Sequence, residues 1–303
     1  MINGVINVYK EAGFTSHDVV AKLRGIAGQR KIGHTGTLDP DAVGVLPVCL
    51  GNATKLCDML TDETKEYEAC LQLGITTDTQ DLSGSILSEK KVEVTEEAFR
   101  QAALSFVGEY DQIPPMYSAL KVNGKKLYEL AREGKTVERR ARRVQIFSLE
   151  ILEVKIPFAT MRVTCSKGTY IRTLCQDIGE KLGCGGAMKS LKRTRVGCFT
   201  LEKACTLAVL QDKKDAGELM DVVTPVDRLF EQYRKCCVLE SGIRLVQNGN
   251  SLPVRLLGEK VESLEDREQI RLYDHKGRFY GIFQAERKSG LVKPVKMFLE
   301  REE

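Results

Sequence analysis

Gly33-His34-Thr35-Gly36-Thr37-Leu38-Asp39-Pro40-Asp41-Ala42-Val43-Gly44 is the stretch around which the chain is organised. Its twelve residues hold three glycines, a proline, two aspartates and a histidine. That composition makes a tight loop, not a helix or strand. Glycines let a backbone turn sharply and approach a ligand closely. Pro40 biases Asp39 away from αR geometry and so directs its carboxylate. Apolar segments flank the loop, Val5 to Val8 and Val19 to Ile26 before it and Val45 to Leu50 after it. A polar loop between core elements is a frequent seat of catalytic groups. An ordinary acidic turn is the other reading of the same residues.

Upstream, residues 4–9 alternate weakly and read as a strand. Thr15-Ser16-His17-Asp18 is a capping box, Val19, Val20, Leu23 and Ile26 follow at helical spacing, and Gly28 ends that helix. Downstream come a short buried segment, 45–50, and a short helix from Ala53 to Leu60. Residues 65–73 alternate cleanly, with Tyr67, Ala69, Leu71 and Leu73 on one face, which predicts a half-buried strand. Tyr67 there is either a core aromatic or a ligand contact.

Asp78 to Gly84 is a polar turn. Thr95 starts a helix with Phe99, Ala102, Ala103 and Phe106 on one face. Residues 144–154 and 158–167 read as strands, and Tyr170 to Leu182 as a helix closed by Gly183. Near the C-terminus, 269–274, 278–286 and 291–299 are strand candidates joined by turns at Asp274-His275-Lys276-Gly277 and Ser289-Gly290. They suggest a small β-barrel.

Composition excludes several classes. No apolar run approaches a membrane span, and Met1-Ile2-Asn3-Gly4 lacks a signal peptide's basic and apolar regions, so a cytoplasmic protein without a membrane partner is expected. Ten cysteines are scattered through core-like segments with no Cys-x-x-Cys, which suits reduced buried thiols. His17, His34 and His275 are the only histidines and do not cluster in sequence, so no metal site is expected. Net charge is +4, but its distribution is uneven. From Lys121 to Arg143 nine Lys/Arg oppose three Glu, with Tyr117 and Tyr128 within or beside the run. Lys189, Lys192, Arg193 and Arg195 form a second cluster. Cations interleaved with aromatics suit single-stranded RNA, whose bases stack while its phosphates meet charge.

Gly-His-Thr-Gly-Thr-Leu-Asp-Pro resembles the signature of the TruB family of tRNA pseudouridine synthases. The resemblance continues in order through Glu66-Tyr67, Thr77-Asp78-Thr79-Gln80-Asp81, Pro114-Pro115-Met116-Tyr117-Ser118-Ala119-Leu120-Lys121, Cys165-Ser166-Lys167-Gly168-Thr169-Tyr170-Ile171-Arg172 and Leu191. It covers roughly residues 3 to 230. One departure is Lys10-Glu11-Ala12-Gly13, where the family usually has Lys-Pro.

The resemblance implies an α+β fold: a mixed, largely antiparallel sheet with flanking helices, then a small C-terminal β-barrel of the PUA type. The implied division is a catalytic domain over 1–233, with an RNA-binding insertion around 117–144, and an RNA-binding domain over 234–303. The implied activity is isomerisation of uridine to pseudouridine at position 55, in the T-loop of tRNA, by a monomer. The bond exchange moves no electrons, so no cofactor is expected. Asp39 matches the family's nucleophile and Arg172 the arginine that pairs with it. Tyr67 matches the tyrosine that stacks on the flipped base, Tyr170 and Leu191 the pocket walls, and His34 the histidine near the flipped nucleotide. Lys10, Lys121 and Arg142 are expected as further substrate contacts. The alternatives are the core of an RNA-guided pseudouridylase and a non-catalytic RNA-binding or chaperone protein.

Overall fold

The computed structural model describes every residue except Asn123, 259–263 and 300–303. Strand β1 (Gly4–Lys10) is buried on both faces, which explains its weak alternation. Helix α1 (Ser16–Ala27) starts at the expected capping box of Thr15 and Asp18 and ends where Gly28 turns left-handed. Strands β2 (Ile32–His34) and β3 (Val43–Leu50) frame the loop of residues 35–42. The helix expected at 53–60 is a 3-10 turn, Gly51–Leu56, running into a short helix, Cys57–Thr61.

Strand β4 (Lys65–Leu73) buries the Tyr67, Ala69, Leu71, Leu73 face and half-exposes the other. Helix α2 (Glu96–Leu104) is capped by Thr95. Strands β5 (Gly108–Gln112), β6 (Arg142–Lys155) and β7 (Phe158–Cys165) follow, then helix α3 (Ile171–Lys181), β8 (Gly186–Val196) and β9 (Val223–Thr224). These strands make one sheet in the order β9-β1-β3-β8-β4-β7-β6-β5, with β2 on β3 and Phe199–Thr200 on β8. Its pairings are antiparallel except β3 with β8. The α+β, largely antiparallel expectation is therefore borne out. Helices α2 and α3 pack with β4, β6 and β7 in one apolar cluster, and α1 packs with β1 and β3 in another.

Strand β8 corrects the reading of residues 189–195 as a free basic cluster. Bulges between Met188 and Ser190 and between Arg193 and Arg195 break the period-two pattern that would have announced a strand. Arg193 is 2% exposed. Lys192 pairs with Glu68 at 3.2 Å and Arg195 with Glu66 at 3.5 Å. Lys189 stays exposed over the Phe158 ring, so the cluster is partly spent within the sheet and not a free basic face.

The second sheet comprises β10 (Arg234–Val238), β11 (Leu252–Pro253), β12 (Leu257–Gly258), β13 (Gln269–Tyr273), β14 (Phe279–Glu286) and β15 (Leu291–Met297). Its order is β11-β15-β14-β13-β10-β12. The two edge strands are joined by Val254–Leu256 alone, so the sheet curls into a nearly closed barrel, as the PUA-type expectation requires. Asp274 builds the expected hairpin turn: its Oδ1 accepts from the backbone N–H groups of Lys276 and Arg278, both at 2.9 Å. The barrel is seated, not tethered. Ile282 and Phe298 complete an apolar cluster with Val5, Val45, Cys49, Ala53 and Leu56, and Asn52 Nδ2 donates to the Leu299 carbonyl at 3.0 Å.

Candidate active site

The loop that carries Asp39 is held from three sides. Leu38 N–H donates to Ser16 Oγ at 3.0 Å, from the first turn of α1. Lys10 Nζ donates to the carbonyls of Ala42 at 2.6 Å, Pro40 at 2.8 Å and Glu11 at 3.1 Å. Arg193 Nη1 reaches the Thr37 carbonyl at 3.5 Å. The turn at 11–13 forms without the family's proline: Gly13 is left-handed and its N–H donates to the Pro40 carbonyl at 3.0 Å. Gly44 closes the loop at φ +107, and a Cβ there would lie 2.2 Å from the Arg193 carbonyl. Glycine is required by that close approach of β3 to β8.

Arg172, in the first turn of α3, is the hub. Its Nε lies 3.1 Å from Asp39 Oδ2 and its Nη2 3.4 Å from Asp39 Oδ1, a fork-on-carboxylate pair. Nη2 also donates to the Tyr117 carbonyl at 2.9 Å, and Nη1 to the Thr79 carbonyl at 3.1 Å, with Asp81 Oδ2 at 3.4 Å. One planar cation thus joins four chain segments. Asp81 is braced in turn by Thr79 Oγ1 at 2.7 Å and Ser83 Oγ at 2.5 Å.

Burial raises the Asp39 carboxyl above the ordinary carboxylate range, Arg172 and Lys10 hold the rise back, and Asp81 and Asp41 add to it. The Asp39 charge is felt by both Tyr67 and Tyr170, whose hydroxyls burial pushes up. Tyr170 is fixed by Gln112, which accepts from its N–H at 2.8 Å and donates to its carbonyl at 3.0 Å. Leu191 and Tyr67 belong to the apolar cluster that also holds Leu38. The site therefore joins a forked ion pair to a ring of apolar and aromatic walls, a setting for a nucleophile acting on a desolvated base.

His34 departs from the expectation that the histidines stand apart. Its ring meets His17 edge-to-face at 5.2 Å, because α1 packs against β2. Gly36 N–H donates to His34 Nδ1 at 3.3 Å, and burial pushes its pKa down with His17 adding to the fall. The imidazole is neutral at pH 7. Lys121 and Arg142 are exposed on the insertion, and Arg142 lies near enough to Tyr170 to stabilise its ionised form. Lys10, expected as a substrate contact, is fully buried with its ammonium spent on the three carbonyls. Sequence reading gave no role to Ser16, Asp81 or Gln112. Asp81 lies in a quoted motif, but neither spacing nor composition tells which side chain it meets.

Burial pushes the Lys10 ammonium down to about 8, against the pull of Asp39. Its folded pKa lies below its unfolded value, so the unfolded chain binds more protons between them. Stability conferred through Lys10 rises with pH across that window, from about 8 to about 10.5. Relative to Lys10→Met, the wild type gains on the order of 3 kcal/mol over this range. Urea unfolding of both proteins at a series of pH values reads the difference; parallel curves would mean the ammonium is not desolvated.

Two family models match the chain. One, described as TruB family pseudouridylate synthase (N terminal domain), covers residues 24–171, and the other, described as tRNA pseudouridylate synthase B C-terminal domain, covers residues 172–231. The chain is 53% identical to tRNA pseudouridine synthase B of Lachnoclostridium phytofermentans, across 98% of this chain and 100% of that one. It is 43% identical to the protein of that name from Alkaliphilus oremlandii, across 99% and 100%. Among solved structures it is similar to a chain of a Cbf5-Nop10-Gar1 complex, with a TM-score of 0.73, 30% identity and coverage of 99% of this chain and 86% of that one. It is also similar to a chain of an H/ACA RNP bound to a substrate RNA containing 2′-deoxyuridine, with a TM-score of 0.72, 28% identity and the same coverage.

Proposed function

The chain belongs to the TruB family of pseudouridylate synthases, and from that membership we propose that it is a stand-alone isomerase converting the T-loop uridine at position 55 of tRNA to pseudouridine. The N1–C1′ bond of the uridine breaks, the base turns, and a C5–C1′ bond forms; C5 gives up its proton and N1 takes one up, so the overall composition is unchanged. Asp39 acts as the nucleophile and Arg172 keeps it ionised and aimed. Tyr67 stacks on the flipped base, Tyr170 and Leu191 wall the pocket, and His34 stands beside the nucleotide as a neutral ring. Residues 1–233 form the catalytic domain and 234–303 the RNA-binding barrel. The observation that carries the proposal is the forked Asp39–Arg172 pair, 3.1 and 3.4 Å long, set beside the buried Tyr67 and the half-buried Tyr170.

The test is purified protein with a T-arm stem-loop transcript, chelator present and guide RNA absent. Pseudouridine mapped to the single T-loop uridine is the expected result. Product only on adding a guide and partner proteins would favour the particle core instead, and no product with tight RNA binding would favour the chaperone reading.

The insertion contributes affinity through a subset of its charges. Arg143 is paired with Glu109 at 3.1 Å and Asp111 at 3.0 Å. Lys125 and Lys135 share Glu133, and Arg139 donates to the Pro114 carbonyl at 3.1 Å. Lys121, Arg140 and Arg142 are exposed without a carboxylate partner among the described residues. Replacing these three with Gln lowers the salt slope of RNA binding by about 0.7 for each phosphate no longer neutralised. Arg143→Gln leaves it nearly unchanged. Affinities measured across a salt series decide, and the opposite ranking would place the RNA path along β5.

A further inference from the structure

Arg193 is the bulkiest fully buried side chain among the described residues. It sits in β8, paired in register with Tyr67 of β4 on one side and Gly44 of β3 on the other. Its Nε donates to the Val45 carbonyl at 2.7 Å and its Nη1 to the Thr37 carbonyl at 3.5 Å, so it grips the Asp39 loop at both ends. Nη2 is buried without a well-formed hydrogen bond, the guanidinium's polar contact with the Tyr67 hydroxyl falling short of one, and no ion pair of Arg193 occurs among the described residues. A desolvated guanidinium with an unused donor is costly, and a well-packed apolar side chain in its place is often neutral or stabilising. Packing alone does not account for it. What the charge does reach is chemical: the guanidinium opposes the burial that pushes up the Tyr67 hydroxyl. Lys10 grips the same loop from the other side, through the Pro40 and Ala42 carbonyls.

We propose that Arg193 is a positioning residue of the isomerisation, holding the Asp39 loop and the Tyr67 hydroxyl on one anchor so that nucleophile and stacking ring keep a fixed relation. The proposal rests on the functional reading above for its consequence in turnover. Its structural half, the pairing of Arg193 with Tyr67 across β8 and β4, does not.

The test uses full-length Arg193→Gln and Arg193→Lys, each alone and combined with Tyr67→Phe. Single-turnover rates at saturating T-arm RNA, RNA affinity, and the 13C resonance of the Tyr67 Cζ, assigned by its disappearance in Tyr67→Phe, are measured. In Arg193→Gln the rate falls about tenfold or more while affinity stays within about twofold. Arg193→Lys recovers part of the loss, because the charge remains and the fork does not. The Tyr67 Cζ resonance moves in free Arg193→Gln, and the substitution costs less on the Tyr67→Phe background than alone. An unmoved resonance, fully additive losses, or a rate loss no larger than the affinity loss would each overturn the proposal. If Arg193→Gln does not fold, Arg193→Lys carries the same comparisons. Absence of pseudouridine with the wild type would defeat the functional reading, while the resonance would still decide whether Arg193 holds Tyr67.

Discussion

Asp39→Asn is expected to fold, to bind T-arm RNA about as tightly as the wild type, and to form no measurable pseudouridine, a loss of at least about 10⁴-fold. The change keeps the size of the side chain and removes the carboxylate proposed as nucleophile. The RNA contacts proposed for the insertion lie elsewhere. Nor is Arg172 stranded, for it keeps Asp81 at 3.4 Å and the carbonyls of Thr79 and Tyr117. Burial raises the Asp39 pKa above its unfolded value, so the stability this group confers is fully present below the unfolded pKa and is lost as pH rises through the folded one. At pH 7 the ionised carboxylate is a cost to the fold, and the asparagine variant melts no lower than the wild type. The same shift places the acid limb of wild-type single-turnover activity above the range of an ordinary aspartate. Calorimetry, RNA titration and nucleotide-resolution mapping check these three readouts. Substantial turnover would remove Asp39 as nucleophile; loss of binding in step with activity would recast it as a binding residue.

Removing the guanidinium has the second large effect, and it differs in kind. Arg172→Met leaves Asp39 and Asp81 without their common cation and strips donors from the Thr79 and Tyr117 carbonyls. Breaking a fully buried pair by deleting one partner costs about 3–5 kcal/mol. Asp39 is 38% exposed and can take up water, so the loss falls below that range and comes mainly through the more enclosed Asp81, and this variant still melts below the wild type. Arg172→Lys keeps a point charge but cannot reach two carboxylates and two carbonyls together. Misplacement of about 1 Å costs roughly 10²-fold in rate, and that is the expected loss for the lysine variant. Arg172 now lowers the Asp39 pKa, so weakening it moves the acid limb of activity to higher pH. A pH profile that keeps the wild-type limb would show that Arg172 is not the counter-ion of Asp39.

What the sequence discloses follows from which interactions are local. The capping box at Thr15 and Asp18, the alternation of β4 and the helical run of α3 depend on neighbours within a turn or on one wet face, and all are legible. The barrel was visible in β13 to β15, and neither in β10 nor in the two-residue edges that close it. The site was legible only through resemblance, since Asp39, Thr79, Asp81, Tyr117 and Arg172 meet through the sheet and not through spacing. Lys10 misled because a lysine reads as a surface cation, whereas here the backbone carbonyls of the Asp39 loop take the place of water. His17 and His34 meet only because a helix folds back onto β2.

Strand β8 enters the sheet between β3 and β4, although both precede it by more than a hundred residues in the chain. A chain made from its N-terminus exposes those two strands long before the one that belongs between them. Closing so long a loop is entropically slow, and until it closes the facing edges of β3 and β4 lack their native partner. Arg193, Tyr67 and Gly44 come into register in that same event. Assembly of the reaction centre and completion of the sheet are therefore one cooperative step, and a nascent chain carries Asp39 for much of its synthesis without an organised site around it.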